Sequence, residues 1–156
     1  MDRDIWELGH RGWLKVAGCV LRASGESFDV DAFLSSSRLR PCHVYRKGDP
    51  GFPPSRGPTE FSGFNVLVSD ADDSLEAQIP DALEFLNGNS DEIARLVAAA
   101  GIQEVTLDFG TVFREVAVQG ERFPAGLVAA AGALGVGLSV TLYPPSDVGS
   151  DEEPQP

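Results

Sequence analysis

This chain has little cysteine, little histidine and little positive charge. Among 156 residues there are 2 Cys, 2 His and 12 Lys or Arg, against 24 Asp or Glu. Cys19 and Cys42 are too few for a disulfide framework and lack metal-type spacing. His10 and His43 make no metal centre without added acids. A net charge of −12 opposes non-specific binding to nucleic acid or an anionic membrane, because phosphate repels it. No phosphate-binding glycine motif is present, since Gly132, Gly135 and Gly137 stand in the wrong order relative to a strand and a helix. Nothing in the residues calls for a cofactor.

The opening Met-Asp-Arg-Asp lacks the basic and apolar parts of a signal peptide, so a reduced cytoplasm is the expected compartment. One segment is free of charge, from Phe123 to Ser146, and is long enough to span a bilayer. It is rich in Gly and Ala and divides into a helical pattern followed by a strand pattern. Acids follow it (Asp147, Asp151, Glu152, Glu153), so it reads as a buried helix–strand pair.

The apolar pattern defines one α+β domain over 15–144, with an N-terminal extension over 1–14 and a disordered acidic, proline-rich tail over 145–156. The extension holds Trp6, His10 and Trp13 without a clear period. Lys15 to Ala23 is apolar on both faces and reads as a central strand. Asp29 caps a short helix, with Phe28 and Phe33 at staple positions and Val30, Phe33 and Leu34 as its buried stripe. Cys42 to Arg46 and Phe61 to Ser69 read as strands. The loop from Lys47 to Pro58 reads as irregular, because prolines cannot supply ladder donors.

Asp70, Asp72, Asp73 and Glu76 mark the start of a second helical region, with Asp73 and Glu76 at capping-box spacing. Pro80 either kinks that helix or starts its regular part. Asn87-Gly88-Asn89 breaks it, Ser90 caps the next helix and Gly101 closes that one. Gln103 to Phe109 reads as a strand whose hairpin partner is Thr111 to Gln119, with Asp108 outward-facing. A helix from Pro124 to about Gly135 and a last strand, Val136 to Tyr143, complete the domain. The fold class is α+β, with helices on one face of an antiparallel or mixed sheet and a ferredoxin-like plait over the first two thirds.

One island of positive charge stands on this acidic body: Arg38, Arg40, Arg46, Lys47 and Arg56. Arg46 and Lys47 can point donors at phosphate or carboxylate, Gly48 allows close approach, and Arg56 can arrive from the far end. The competing reading pairs Arg46 or Lys47 with Asp49 or another fixed carboxylate and makes the element a structural turn. Cys42-His43 is a poor nucleophile–base pair, because neighbouring residues in a strand point to opposite faces. The acids around Asp70–Glu76 lack the calcium-loop spacing and its glycine.

Gly25…Phe28-Asp29-Val30…Leu34, Pro41…Tyr45-Arg46-Lys47-Gly48-Asp49 and Ser62-Gly63-Phe64 together resemble the bacterial family called domain of unknown function 4279. The likeness covers about residues 15–144. It includes the closing Leu134-Gly135…Tyr143 pattern. Tyr45 and Phe64 stand where that family usually has tryptophan, which keeps bulk and loses indole donors. The resemblance implies a fold and brings no established reaction.

Three functional readings follow. The first is a non-enzymatic protein-interaction module for a basic partner, immunity-like in its sharpest form, with Tyr45, Arg46, Lys47, Gly48, Asp49, Arg56 and Phe64 as contact residues. The second is an anion or small-molecule sensor using the Arg46/Lys47 loop. The third is an enzyme whose reaction the residues do not name.

Overall fold

The computed structural model describes residues 18–71 and 74–144. Trp6, His10, Trp13, the start of the first predicted strand, Asp72, Asp73 and the acidic tail lie outside them. The elements run β1 (Cys19–Gly25), α1 (Val30–Ser35), β2 (His43–Tyr45), β3 (Ser62–Ser69), α2 (Leu75–Gly88), α3 (Ser90–Val97), β4 (Glu104–Val112), α4 (Ala125–Leu134) and β5 (Gly137–Tyr143).

These strands form one mixed sheet in the order β2-β3-β1-β4-β5. All neighbours are antiparallel except β4 and β5, which run parallel and are joined through α4. Among β1–β4, order and direction match a split β-α-β-β-α-β arrangement. The helical layer departs from a regular plait, because α1 has six residues and its counterpart is divided into α2 and α3. The domain is therefore described as an α+β mixed sheet with helices on one face.

Alternation in β1 sets the two faces. Cys19, Leu21 and Ala23 are fully buried and align with Val66 and Phe64 of β3 and with Phe109, Leu107 and Val105 of β4. That face packs on Val30 and Phe33 of α1, Leu86 of α2, Ile93 and Leu96 of α3, and Leu127 of α4. Burying a side chain of this size stabilises by about 1.5–3 kcal/mol, which is what holds the layers together. Asp29 caps α1 by accepting the Ala32 N–H at 2.9 Å, and the Phe28 and Phe33 rings lie 5.9 Å apart. The staple expected there is present.

Several sequence expectations change. The hairpin after Phe109 is absent. Gly110 lies within β4, donating its N–H to Gly18 O at 2.8 Å, and the strand continues to Val112. Both sides of β4 are occupied, by β1 and β5, so no partner strand can be added. Val116 and Val118 alternate in sequence but are 57% and 85% exposed.

The α2 cap is Ser74, whose Oγ accepts the Ala77 N–H at 3.2 Å, which displaces the Asp73/Glu76 box by one residue. Pro80 lies inside α2, where it removes one helical donor. Asn89, not Ser90, is the N-cap of α3, and its Nδ2 donates to Phe85 O at 2.9 Å at the end of α2. Gly101, at φ +83°, turns the chain toward β4 after the C-cap Ala98 of α3.

The Lys47–Pro58 loop is also more regular than expected. It folds back on itself, with Gly48 N–H donating to Thr59 O, Thr59 N–H to Asp49 O and Gly51 N–H to Gly57 O, at 2.8, 2.8 and 3.1 Å. Pro50 and Pro58 face each other in a bridge, and all the donors come from their neighbours. The prolines sit where the ladder asks nothing of them.

Candidate functional site

The Tyr-Arg-Lys-Gly-Asp run forms the base of this folded-back loop. Asp49 Oδ2 accepts the Arg46 N–H at 2.7 Å, and the Asp49 N–H donates to Arg46 O at 2.9 Å. Thr59 Oγ1 donates to Arg46 O at 2.7 Å, and Lys47 N–H donates to Ser62 Oγ at 2.9 Å. Gly48 takes φ +93°, a left-handed conformation that glycine adopts without steric cost. The backbone closes the turn.

Its cations are already partnered. Arg46 grips Asp31 at the start of α1 with two bonds, Nε to Oδ2 at 2.8 Å and Nη2 to Oδ1 at 2.6 Å. The guanidinium holds the Asp31 carboxyl below its ordinary range, and Arg46 is raised in return. Lys47 Nζ reaches Glu26 Oε1, just past β1, at 3.1 Å. Both pairs lie in solvent, where water screens them, so they steer the loop more than they stabilise it.

Arg56 is not brought to Arg46. It sits in the 3₁₀ turn Pro54–Arg56 at the loop tip, beside Phe52, which is 72% exposed. Phe64 is a fully buried core residue with its ring 5.9 Å from Phe33, and it is corrected from contact residue to core. Tyr45 points to the sheet face opposite the helices. Its ring lies across Gly63, has Ser24 as a side-chain hydrogen-bonding neighbour, and stacks on His43 with centroids 5.8 Å apart. Burial pushes the Tyr45 phenol up.

On that same face lies a polar cluster that the sequence reading missed. Asp108 is only 7% exposed, and its carboxylate accepts from Arg22 Nε at 2.9 Å and from Thr141 Oγ1 at 2.7 Å. The Tyr143 phenol is pushed up, first by its burial and then by the Asp108 charge. The available signal was one arginine in the middle of β1 and one aspartate in the middle of β4. Reading Asp108 as a position beside a hairpin turn concealed it.

Neither cysteine is an activated nucleophile. Cys42 Sγ donates to Asn65 O at 3.4 Å and burial raises its thiol, while Cys19 is buried and pushed up to about 12. Thiols of this kind are weak nucleophiles at neutral pH. No group of three or more His, Cys, Asp or Glu is placed to hold a metal ion among the described residues. A recess of about 360 Å³ lies between Ser74, Glu76, Val112, Arg114 and Glu121, and its Arg114 is bound by Glu121 at 3.0 Å.

The acidic part of the helical layer is α2. α2 carries Glu76, Asp81 and Glu84 and no cation. α3 exposes both Asp91 and Arg95, and the Arg95 guanidinium binds Glu92 at 2.6 Å and lies over the Phe33 ring at 4.4 Å. None of the helices is long and apolar enough to cross a membrane among the described residues. Compared with protein-family models, with curated proteins and with solved structures, the chain matches none.

Proposed function

We propose that this chain is a non-enzymatic interaction domain for a basic protein, with immunity-like cover of a basic toxin, such as a nuclease, as its sharpest form. The observation that carries the reading is the fate of the basic island. Arg46 and Lys47 are held by Asp31 and Glu26, while α2 exposes Glu76 and Glu84 and carries no cation, which offers a partner an acidic face. A surface of one sign steers an oppositely charged partner and makes its association salt-sensitive. Anion sensing has less behind it, because Arg46 and Lys47 already face carboxylates and Arg56 sits apart from them in the loop's 3₁₀ turn. Membership of the domain of unknown function 4279 family and residence in the cytoplasm are part of the same proposal. They rest on the Tyr45–Asp49 run and on two free cysteines.

The test is capture by the tagged full chain from native-host lysate over a salt series. Glu76→Gln/Glu84→Lys and Arg46→Ala/Lys47→Ala are run alongside. One stoichiometric basic partner, released by salt and lost with the α2 variant, is expected. A complex indifferent to salt and to α2 charge, or no complex at all, overturns the reading.

A further inference from the structure

Residues 123–144 contain no charged side chain; their strand, β5, lies at one margin of the sheet, and α4 packs against α2, α3 and β5. β5 is an outer strand there, bonded on one side to β4 among the described residues, and α4 packs beside it. The two sheet margins are built differently. β2 is three residues long, with Pro41 before it and Arg46 and Lys47 after it, which are common defences of a strand edge. β5 has seven residues, no proline or charge within them and an unbroken register, and Pro144 follows only at its end. α4 carries no polar side chain. It buries Leu127 and Ala131 and leaves Val128, Ala129 and Ala133 exposed. A helix apolar on every side belongs against something.

The sequence of β5 indicates what that is. Leu138-Ser139-Val140-Thr141-Leu142 repeats its residue classes when read backwards. In an antiparallel pair with another β5, centred on Val140, Leu138 faces Leu142 and Ser139 faces Thr141. Apolar meets apolar and hydroxyl meets hydroxyl on each face. A second copy has that match by symmetry. Charge argues the same way, because copies at −12 each repel over most of their surface, and residues 123–144 set no carboxylate between them. We infer that the protein is a two-fold homodimer in which β5–β5 pairing joins the two sheets and the α4 helices pack over the seam, where alanine and glycine permit close approach.

Sedimentation equilibrium of the full chain over about a hundredfold concentration range tests this. Wild type is expected at about twice the 16.6 kDa chain mass. Leu142→Lys, at a position 43% exposed, and Ala133→Glu, on the outer face of α4, are each expected at the mass of one chain with an unchanged far-UV spectrum. Glu84→Lys is expected to remain dimeric. If Leu142→Lys unfolds, Ala133→Glu decides alone, because its side chain enters solvent. A single-chain mass for wild type throughout, a larger assembly, or a dimer that survives both variants overturns the inference.

Discussion

Asp108 is the most consequential polar residue on the open face, and its removal has a calculable cost. Asp108→Ala deletes the acceptor that Arg22 reaches at 2.9 Å and Thr141 at 2.7 Å. A hydrogen bond to a charged group is worth about 1.5–3 kcal/mol net. Breaking a fully buried ion pair costs about 3–5 kcal/mol, because the survivor is left without water. Arg22 is not in that position, since its side chain is 46% exposed and regains hydration once the carboxylate is gone. The expected loss is therefore about 2–3 kcal/mol, of which about 1–1.5 kcal/mol is coupling to Arg22. For a domain of this size that lowers Tm by about 5–10 °C. Asp108→Asn keeps the shape and one acceptor and should lose about half as much. Urea unfolding of wild type, Asp108→Ala, Arg22→Ala and the double variant, followed by far-UV circular dichroism, closes the cycle. Strictly additive effects, with coupling below about 0.3 kcal/mol, would mean that the carboxylate is solvated and the network idle.

A methyl group at Gly63 would collide with the Ala23 carbonyl and stand 2.6 Å from Tyr45 Oη, so Gly63→Ala should cost about 2–4 kcal/mol. A urea midpoint equal to wild type would show that the ring has room to retreat. Arg95, then Ser37, hold Glu92 at about 2 against an ordinary 4.5. Its folded value is the lower one, so its contribution is complete above about pH 4.5 and fades as pH falls toward 2. Glu92→Gln should accordingly be less stable than wild type at neutral pH and converge with it in acid; a constant offset would sink that account. Iodoacetamide should alkylate Cys42 and Cys19 more slowly than free cysteine, because burial raises both thiols, and a fast reaction at Cys42 would contradict its packing.

The sequence was most legible where local chemistry decides structure. Asp29, Phe28 and Phe33 announce α1 because a cap and a staple act within a few residues. Alternation in β1 and β3 announces strands because one face of each is buried. The errors cluster where a distant partner decides. Gly110 looks like a turn until β5 comes to lie along β4, and Asp108 looks solvated until Arg22 reaches it from the neighbouring strand β1. Proline in the Lys47–Pro58 loop argued against pairing, yet pairing that uses only the neighbouring donors accommodates it. In the Arg46/Lys47 turn the pairing with fixed carboxylates was legible and the partners were not, because Asp31 and Glu26 belong to other elements.

The mixed sheet also has a kinetic consequence. β1 lies at its centre, and its pairing with β4 brings together groups such as Arg22 and Asp108 that are 86 positions apart. Closing a loop of that length costs about 4 kcal/mol of chain entropy before any contact repays it. β4 and β5 meet through the much shorter α4 connection. Refolding speed should therefore follow the β1–β4 contact, with Leu21→Ala slowing the folding arm of a stopped-flow chevron more than Leu142→Ala does. The interior of this domain is the part that the chain must reach farthest to build.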